Sequence, residues 1–363
     1  MNLNCGFVGL PNVGKSTLFN ALSKNNISAE NYPFCTIEPN TGIVEVPDER
    51  LNNLTKIFNP KRKIHNTVEF IDIAGLVKNA HQGEGLGNKF LSQIRSVNVI
   101  IQVVRFFNDE NITHVENRFD PIEDMEIINT ELILADIKTV EKSLEKNVKL
   151  IKANKPEGKL AEVILTSLLE HMDNGFAARS FKRNSKEDPV IKNLFLLTDK
   201  PMIYVANIGE RSIDIELFEE AVSIADKNKS SLIKINGKLE SEMADFNDEE
   251  KNLMLKDYGI KESGLDTLIK EAYKTLGLET FFTCGEKEVR AWTMKKGSQA
   301  VEAAGEIHTD FSTKFIKAEI YSYQDAMNNK EKINELKTMG LVKMVGRDYI
   351  MQEGDIAYFI KGQ

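Results

Sequence analysis

Residues 9–17 read Gly-Leu-Pro-Asn-Val-Gly-Lys-Ser-Thr and directly follow the apolar run Cys5-Gly6-Phe7-Val8. The spacing Gly-x4-Gly-Lys-Ser between a strand and a helix is the pattern of a phosphate-binding loop, and an incidental glycine turn is the alternative interpretation. In such a loop backbone N–H groups surround the phosphates, the lysine reaches the outer phosphates and the serine hydroxyl ligates Mg²⁺. The pattern therefore predicts an α/β fold that binds a nucleoside triphosphate. The predicted nucleotide contacts of the loop are Asn12, Val13, Gly14, Lys15, Ser16 and Thr17.

The composition is that of an ordinary globular protein. The chain has 363 residues, of which 41% are hydrophobic and 28% charged, and its net charge is −8. No stretch approaches the roughly 20 apolar residues that span a bilayer, and the first residues lack the pattern of a signal peptide. We therefore expect a cytoplasmic protein that does not bind membranes. The acidic balance disfavours general attraction to nucleic acid, so any such contact needs a local basic surface.

Three cysteines, Cys5, Cys35 and Cys284, are spread along the chain. Their odd number and wide spacing argue against a disulfide framework and against a zinc site.

Apolar runs alternate with helical patterns in the first third of the chain and again after Pro201. This alternation is typical of a parallel sheet covered by helices. We predict a discontinuous nucleotide-binding domain of residues 1–122 and 201–277. Helical periodicity predicts an inserted helical domain at 123–200, and short apolar runs separated by turns predict a small β-rich domain at 278–363.

The helical insertion is mildly basic. Residues 141–200 contain twelve Lys or Arg and nine Asp or Glu. A solvated helix surface and a polyanion-binding surface both fit this balance.

A second metal-binding element is predicted where the run 68–71 ends in Asp72-Ile73-Ala74-Gly75. Asp72 would hold Mg²⁺ through water, and the Gly75 N–H would sense the γ-phosphate. Between the two motifs, Thr36 is placed where a switch threonine closes on Mg²⁺, with an ordinary loop threonine as the alternative. Ser16, Thr36 and Asp72 are therefore the predicted metal site.

The group that positions the attacking water is not given by the pattern. Many switch proteins carry glutamine right after the glycine of the second motif, where this chain has Leu76. Leucine cannot orient water, so we expect slow hydrolysis or another group. His114 and His81 are candidates, with an ordinary surface loop residue as the alternative for each. The carbonyl of Asn12 could help to hold a monovalent cation, and K⁺ is our hypothesis for it.

Base selectivity is predicted from the motif that follows the run 202–206. Guanine-specific relatives of such folds use Asn-Lys-x-Asp there, whereas this chain has Asn207-Ile208-Gly209-Glu210. Loss of bidentate recognition should cost on the order of 10²-fold in guanine selectivity, so we favour ATP. Asn207, Ile208 and Glu210, together with Asn236 and Gly237 after the next strand, are the predicted base-side residues.

Several stretches resemble the YchF/Obg-like ATPase family over essentially the whole chain. They are the loop at 9–17, Asn31-Tyr-Pro-Phe-Cys-Thr-Ile-Glu-Pro-Asn40, Gly83-Glu-Gly-Leu-Gly-Asn-Lys-Phe90, the altered motif at 207–210, Glu288-Val-Arg-Ala-Trp292 and Ile307-His-Thr-Asp-Phe311.

The resemblance implies a P-loop NTPase domain, a coiled-coil-like helical insertion and a C-terminal TGS domain of β-grasp shape. It also implies ATP preference, a hydrophobic residue at Leu76, slow intrinsic hydrolysis and association with the ribosome through either subunit. His114 matches the family's proposed catalytic histidine, and Cys35 matches a redox-sensitive cysteine.

Three functions follow from these interpretations. The first is a monomeric Mg²⁺-dependent ATPase that acts as a switch in translation or the stress response. The second is a ribosome-binding regulator in which hydrolysis is incidental, and the third is a GTPase of similar architecture.

Overall fold

The computed structural model describes residues 3–24, 40–73, 86–108, 119–152, 155–209 and 214–362. The chain divides into two compact units. One consists of residues 1–44 and 69–268, and the other of residues 45–68 and 269–363. No helix within the described ranges is both long enough and apolar enough to cross a bilayer.

A six-stranded sheet forms the centre of the first unit among the residues described, in the order β2-β4-β1-β5-β6-β7. Its strands are β1 (Asn4–Gly9), β2 (Thr41–Glu45), β4 (Thr67–Asp72), β5 (Val99–Phe106), β6 (Met202–Ile208) and β7 (Ser231–Ile235). Neighbours run parallel from β4 through β1, β5 and β6 to β7. All eight positions of β5 are buried, because helices cover both faces of such a sheet.

Several helices belong to this unit. They are α1 (Lys15–Lys24), α3 (Leu86–Ser96), α4 (Pro121–Lys152), α5 (Pro156–Asp173), α6 (Asp188–Lys192), α7 (Ile215–Lys227), α8 (Gly237–Met243), α9 (Asp248–Asp257) and α10 (Gly264–Thr275), the last of which continues into the second unit.

The predicted helical pair is formed by α4 and α5. The break falls at Lys155, with Pro156 opening the second helix, as the missing N–H of proline favours. Buried residues of both helices form a core of their own, which contains Val140, Ile164 and Leu168. The insertion is therefore stabilised by packing that does not depend on the central sheet.

A buried carboxylate fastens this helical region to the segment just before β6. Asp136 of α4 accepts hydrogen bonds from the backbone N–H groups of Leu197 (2.8 Å) and Thr198 (2.7 Å) and from the Thr198 hydroxyl (2.7 Å). Burial raises the pKa of Asp136 to about 6, against the lowering effect of these three donors. Earlier on the same helix, the Asn129 side chain donates to the hydroxyl of the fully buried Tyr204 on β6 (2.6 Å).

A second sheet, with six strands among those described, organises the other unit in the order β11-β10-β12-β8-β9-β3. Its strands are β3 (Arg62–Ile64), β8 (Leu278–Cys284), β9 (Glu288–Lys295), β10 (Phe315–Ser322), β11 (Lys343–Val345) and β12 (Asp355–Lys361). Its helices are α2 (Glu49–Phe58), α11 (Ala300–Ile307), α12 (Thr309–Thr313) and α13 (Tyr323–Asn328). Parallel and antiparallel neighbours are mixed, because β3 pairs parallel with β9 while β8 pairs antiparallel with β9.

The segment 45–68 departs from the predicted domain boundaries. The sequence analysis assigned it to the nucleotide-binding domain, but the structure groups it with residues 269–363. Leu51 and Leu54 of α2 are fully buried in a cluster that includes Phe282 and Val289. Their packing partners lie more than two hundred residues away, so local periodicity could not reveal where this segment belongs.

Candidate nucleotide-binding site

The loop between β1 and α1 has the backbone geometry that its sequence predicts. Asn12 has a φ of 62° and Gly14 a φ of 89°, both in the left-handed region that asparagine and glycine tolerate best. The Leu18 N–H donates to the Gly14 carbonyl (3.0 Å), so helical hydrogen bonding starts directly behind the loop. The N-terminus of α1, with its partial positive charge, therefore lies at the end of β1, where an anion would be stabilised.

Two of the predicted phosphate and metal residues meet at this sheet edge. β1 and β4 are parallel neighbours with Phe7 opposite Asp72, so the ends of both strands lie together. The Lys15 ammonium forms an ion pair with the Asp72 carboxylate, and their side chains are only 12% and 19% exposed. Residues 57 positions apart in the sequence thus form one partly buried, charged site.

Asn207 links the phosphate-binding loop to the loop after β7. Its Nδ2 donates to the Val13 carbonyl (2.9 Å), and its Oδ1 accepts from the Gly237 N–H (3.0 Å). The side chain is buried, so both bonds are shielded from water. Asn207 is therefore a positioning residue, a role that the sequence analysis missed because it concerned only the base.

The same contact explains two glycines. A Cβ atom on Gly14 would lie 2.1 Å from Asn207 Nδ2, and one on Gly237 would lie 2.9 Å from Asn207 Oδ1. Both approaches are closer than real Cβ contacts allow. Glycine is thus required on each side of the asparagine.

Asn236 and Gly237 are engaged within the protein. The Asn236 side chain accepts from the Leu239 N–H (3.1 Å) and caps α8, a task for which asparagine is well suited. The Gly237 N–H is taken by Asn207. Ile208 ends β6 with a half-buried side chain. Base contacts by these residues remain a prediction.

Glu240 is a further positioning residue, and no motif signalled that role. This buried side chain of α8 accepts from the Gly264 N–H (2.6 Å) and the Ser263 hydroxyl (3.1 Å). Burial raises the pKa of Glu240, and the two donors oppose that effect. The carboxylate fixes the turn before α10 against the helix that Asn236 caps.

The described residues fit a magnesium ion with few protein ligands. Ser16 is exposed on the first turn of α1, and Asp72 lies at the adjacent strand end. Both offer the hard oxygen donors that Mg²⁺ prefers, and Mg²⁺ usually completes its shell with water and substrate phosphates. In the described part of the chain no three His, Cys, Asp or Glu side chains gather as an all-protein metal cage.

Other predicted site residues lie outside the described residues. They are Cys35, Thr36, Gly75, His114 and Glu210, together with Leu76 and the alternative histidine His81.

A sheet of parallel neighbours with this loop and helix at the carboxyl end of an inner strand, β1, defines a P-loop nucleotide-binding protein. Comparisons with known proteins agree. A family model described as "50S ribosome-binding GTPase" matches residues 4–136. A second model, for the C-terminal domain of YchF GTPases and described as a protein of unknown function, matches residues 278–361.

Relatives of high identity span the whole chain. The "Ribosome-binding ATPase YchF" of Bacillus subtilis is 48% identical over 99% of both chains, and the protein of the same name from Escherichia coli O157:H7 is 44% identical over 99% of both. The solved structure of the Schizosaccharomyces pombe YchF GTPase superposes with a TM-score of 0.88 at 37% identity, covering 99% of this chain and 98% of that one. The chain belongs to the YchF family.

Proposed function

We propose that this protein is a Mg²⁺-dependent ATPase that binds the ribosome and switches with its nucleotide state. The observation that carries the proposal is the meeting of Lys15 and Asp72 at the N-terminus of α1. This arrangement supplies a cation for the outer phosphates and a carboxylate for a hydrated metal ion at one place. The relatives that match over 99% of the chain are named ribosome-binding ATPases.

The chemistry follows from the roles of the chain's own residues. Lys15 turns from Asp72 to the outer phosphates when nucleotide binds, while Ser16, Thr36 and Asp72 face the metal site. Bound Mg²⁺ would neutralise charge that develops on the phosphates. His114 orients the attacking water, since Leu76 cannot, and a single histidine without a glutamine partner accounts for a slow intrinsic rate.

ATP is the proposed substrate because the guanine motif is altered. Ile208 replaces the lysine that would pack along the base, and Glu210 replaces the aspartate that would accept from guanine. The Asn207 side chain is already engaged by Val13 and Gly237, so it cannot compensate by reading the base. A GTPase remains the second candidate, because the matching family model and the solved relative are both named GTPases.

Competition binding tests this choice. Fluorescent ATP and GTP analogues are titrated into nucleotide-free protein with Mg²⁺, and each is competed with the unlabelled nucleotides. We expect ATP to bind at least about tenfold more tightly. The double variant Ile208→Lys, Glu210→Asp rebuilds the guanine motif and should move selectivity toward GTP. Equal or tighter GTP binding by the unaltered protein would contradict the ATPase proposal.

Ribosome binding is tested by cosedimentation with purified ribosomes in the presence of ATP, ADP or no nucleotide. We expect nucleotide-dependent pelleting and a many-fold increase in ATP turnover on ribosomes. A His114→Ala variant separates the catalytic role from the regulatory one. If this variant loses turnover but pellets and regulates like the unaltered protein, hydrolysis is incidental and the regulator function is favoured.

Two further parts of the proposal concern the environment of the site. K⁺ bound near Asn12 would bridge phosphates, so hydrolysis should be faster in K⁺ than in Na⁺ at equal ionic strength. Oxidation of Cys35 next to Thr36 would disturb the switch, so peroxide should lower ATP turnover in the unaltered protein and spare a Cys35→Ala variant. Equal hydrolysis rates in K⁺ and Na⁺ would contradict the K⁺ site. Equal peroxide sensitivity of the unaltered protein and the Cys35→Ala variant would contradict the role of Cys35.

A further inference from the structure

The outermost strand of the second sheet, within the described part of the chain, is strongly basic. β3 consists of Arg62, Lys63 and Ile64, and Lys61 precedes it. Lys61, Arg62 and Lys63 are all exposed. β3 is the last strand in the order of this sheet. Three consecutive cations thus project along one edge of a protein whose net charge is −8.

The neighbouring hairpin adds two more cations. The Lys61 N–H donates to the Glu286 carbonyl (3.1 Å), which brings the exposed Lys287 next to the start of β3. Arg62 lies opposite Glu288, and Ile64 lies opposite Arg290. Because alternate residues of a strand share a face, Arg62 and Arg290 lie on the same side of the sheet.

The Arg290 guanidinium stacks on an aromatic ring. Its guanidinium lies over the Trp292 ring, 3.8 Å from the ring centroid, which fixes its direction. Its Nε is shielded from solvent and has no hydrogen-bond partner among the described residues. Stacking holds the Arg290 charge in place beside β3, and guanidinium groups pair well with phosphate oxygens.

Ion pairing does not cancel these charges. Among the described residues no carboxylate forms an ion pair with Lys61, Arg62, Lys287 or Arg290, and Lys63 hydrogen-bonds to the neutral side chain of Asn52 (3.1 Å). Two glutamates, Glu286 and Glu288, lie within the hairpin, against five cations.

The helical insertion has a basic sequence too, but some of its positive charges have partners within the protein. Arg179 is half-buried and donates to the Thr198 and Asn228 carbonyls. Arg183 pairs with Asp188 and Asp199, each at 2.8 Å. Two of the twelve Lys and Arg residues at 141–200, Arg179 and Arg183, are therefore engaged within the fold.

We propose that Lys61, Arg62, Lys63, Lys287 and Arg290, here called the basic edge, bind the phosphate backbone of structured RNA. This inference rests on the proposed function, for which it supplies the surface that contacts ribosomal RNA. Lysine and arginine that neutralise phosphates release counterions, so binding depends steeply on salt. No base contact is needed, and the basic edge recognises RNA by backbone geometry.

Charged edge strands also occur for a different reason, because lysines on a short edge prevent pairing with other chains. Lys287 and Arg290 separate the two explanations, since neither lies on β3. If the charges only protect the edge strand from pairing, removing those of Lys287 and Arg290 should leave RNA affinity unchanged. If they bind RNA, removing them should lower that affinity.

The experiment measures affinity by fluorescence anisotropy for a labelled RNA hairpin of about 16 base pairs, at several salt concentrations, and by cosedimentation for purified ribosomes. The edge variant is Lys61→Gln, Arg62→Gln, Lys63→Gln. A hairpin variant is Lys287→Gln, Arg290→Gln. The control changes three exposed lysines of the same unit to glutamine, Lys314, Lys330 and Lys332, and so alters the net charge equally. Circular dichroism and urea unfolding check that each variant is folded.

We expect the edge variant to bind the RNA hairpin about tenfold or more weakly near 0.1 M salt. The slope of log binding constant against log salt concentration should become shallower by about two to three. For the hairpin variant this slope should become shallower by about one to two, and for the control it should change little. Equal losses in edge variant and control, or none in the hairpin variant, would overturn the inference. If the unaltered protein fails to pellet with ribosomes, the proposed function fails; if it pellets and the edge variant does so equally well, only the basic edge is refuted.

Discussion

Replacing Asn207 by alanine removes the side chain that ties two loops of the candidate site together. The substitution deletes the hydrogen bonds to the Val13 carbonyl (2.9 Å) and from the Gly237 N–H (3.0 Å). Each neutral hydrogen bond contributes about 1 kcal/mol, and each buried group left unpaired costs about 1–3 kcal/mol. Val13 and Gly237 are both buried, so we expect a loss of about 3 kcal/mol in the free energy of unfolding.

The assay combines urea unfolding with ATP binding. Because the lost bonds hold the loop that surrounds the phosphates, ATP affinity of the folded variant should fall by at least about tenfold, which corresponds to about 1.4 kcal/mol of loop ordering. Asn174→Ala is the matched control, since it deletes one exposed hydrogen bond to the Glu170 carbonyl and should cost less than about 1 kcal/mol.

Asn207→Asp refines the test. An aspartate keeps the acceptor for Gly237 but turns an oxygen toward the Val13 carbonyl, so it should rescue little. If Asn207→Ala is as stable as the Asn174 control and binds ATP unchanged, the positioning role is refuted.

The remaining predictions concern the loop, the metal site and the helical insertion. Gly14→Ala combines a φ of 89° with a Cβ 2.1 Å from Asn207 Nδ2, so ATP binding measured by calorimetry should be lost while the protein stays folded. Asp72→Asn should raise the Mg²⁺ concentration needed for ATP binding by about tenfold or more, as a Mg²⁺ titration would show, and an unchanged requirement would remove Asp72 from the metal site. The folded pKa of Asp136 is about 6, above the ordinary 3.8, so the folded state keeps this proton to a higher pH than the unfolded state does. The free energy of unfolding should therefore fall as pH rises from about 4 to 6, and Asp136 should add no pH dependence outside that window. Urea unfolding should therefore show up to about 3 kcal/mol of pH dependence there that Asp136→Asn removes; identical pH profiles would contradict it.

The sequence predicted the parts of the fold that depend on local patterns. Continuous apolar runs such as β5 indicated a parallel sheet, and the spacing in residues 9–17 predicted the loop and the start of α1. The fold class and the family are confirmed. The meeting of Lys15 and Asp72 follows from the rule that neighbouring parallel strands end at one edge, given that β1 and β4 are neighbours.

Contacts between distant residues could not be predicted in the same way. The bond from Asn207 to Val13 joins residues 194 positions apart, and an asparagine that reads a base looks the same in sequence as one that holds a loop. Base contacts of Asn236 stay a prediction, but its capping of α8 could not be predicted, because capping depends on where the helix begins. The assignment of residues 45–68 differed for a similar reason, since burial of Leu51 and Leu54 is visible only in three dimensions.

The split origin of the second unit has a consequence for synthesis of the protein. Leu54 leaves the ribosome early, whereas Phe282, against whose cluster it packs, is made more than two hundred residues later. At about 5–20 residues per second, this delay lasts roughly ten to forty-five seconds. During that time α2 and β3 have neither a core nor a strand to join, so the apolar face of α2 is available to chaperones. Completion of this unit must therefore wait until the end of the chain, and a stop codon that removes β8 and β9 would leave the early segment permanently without its partners.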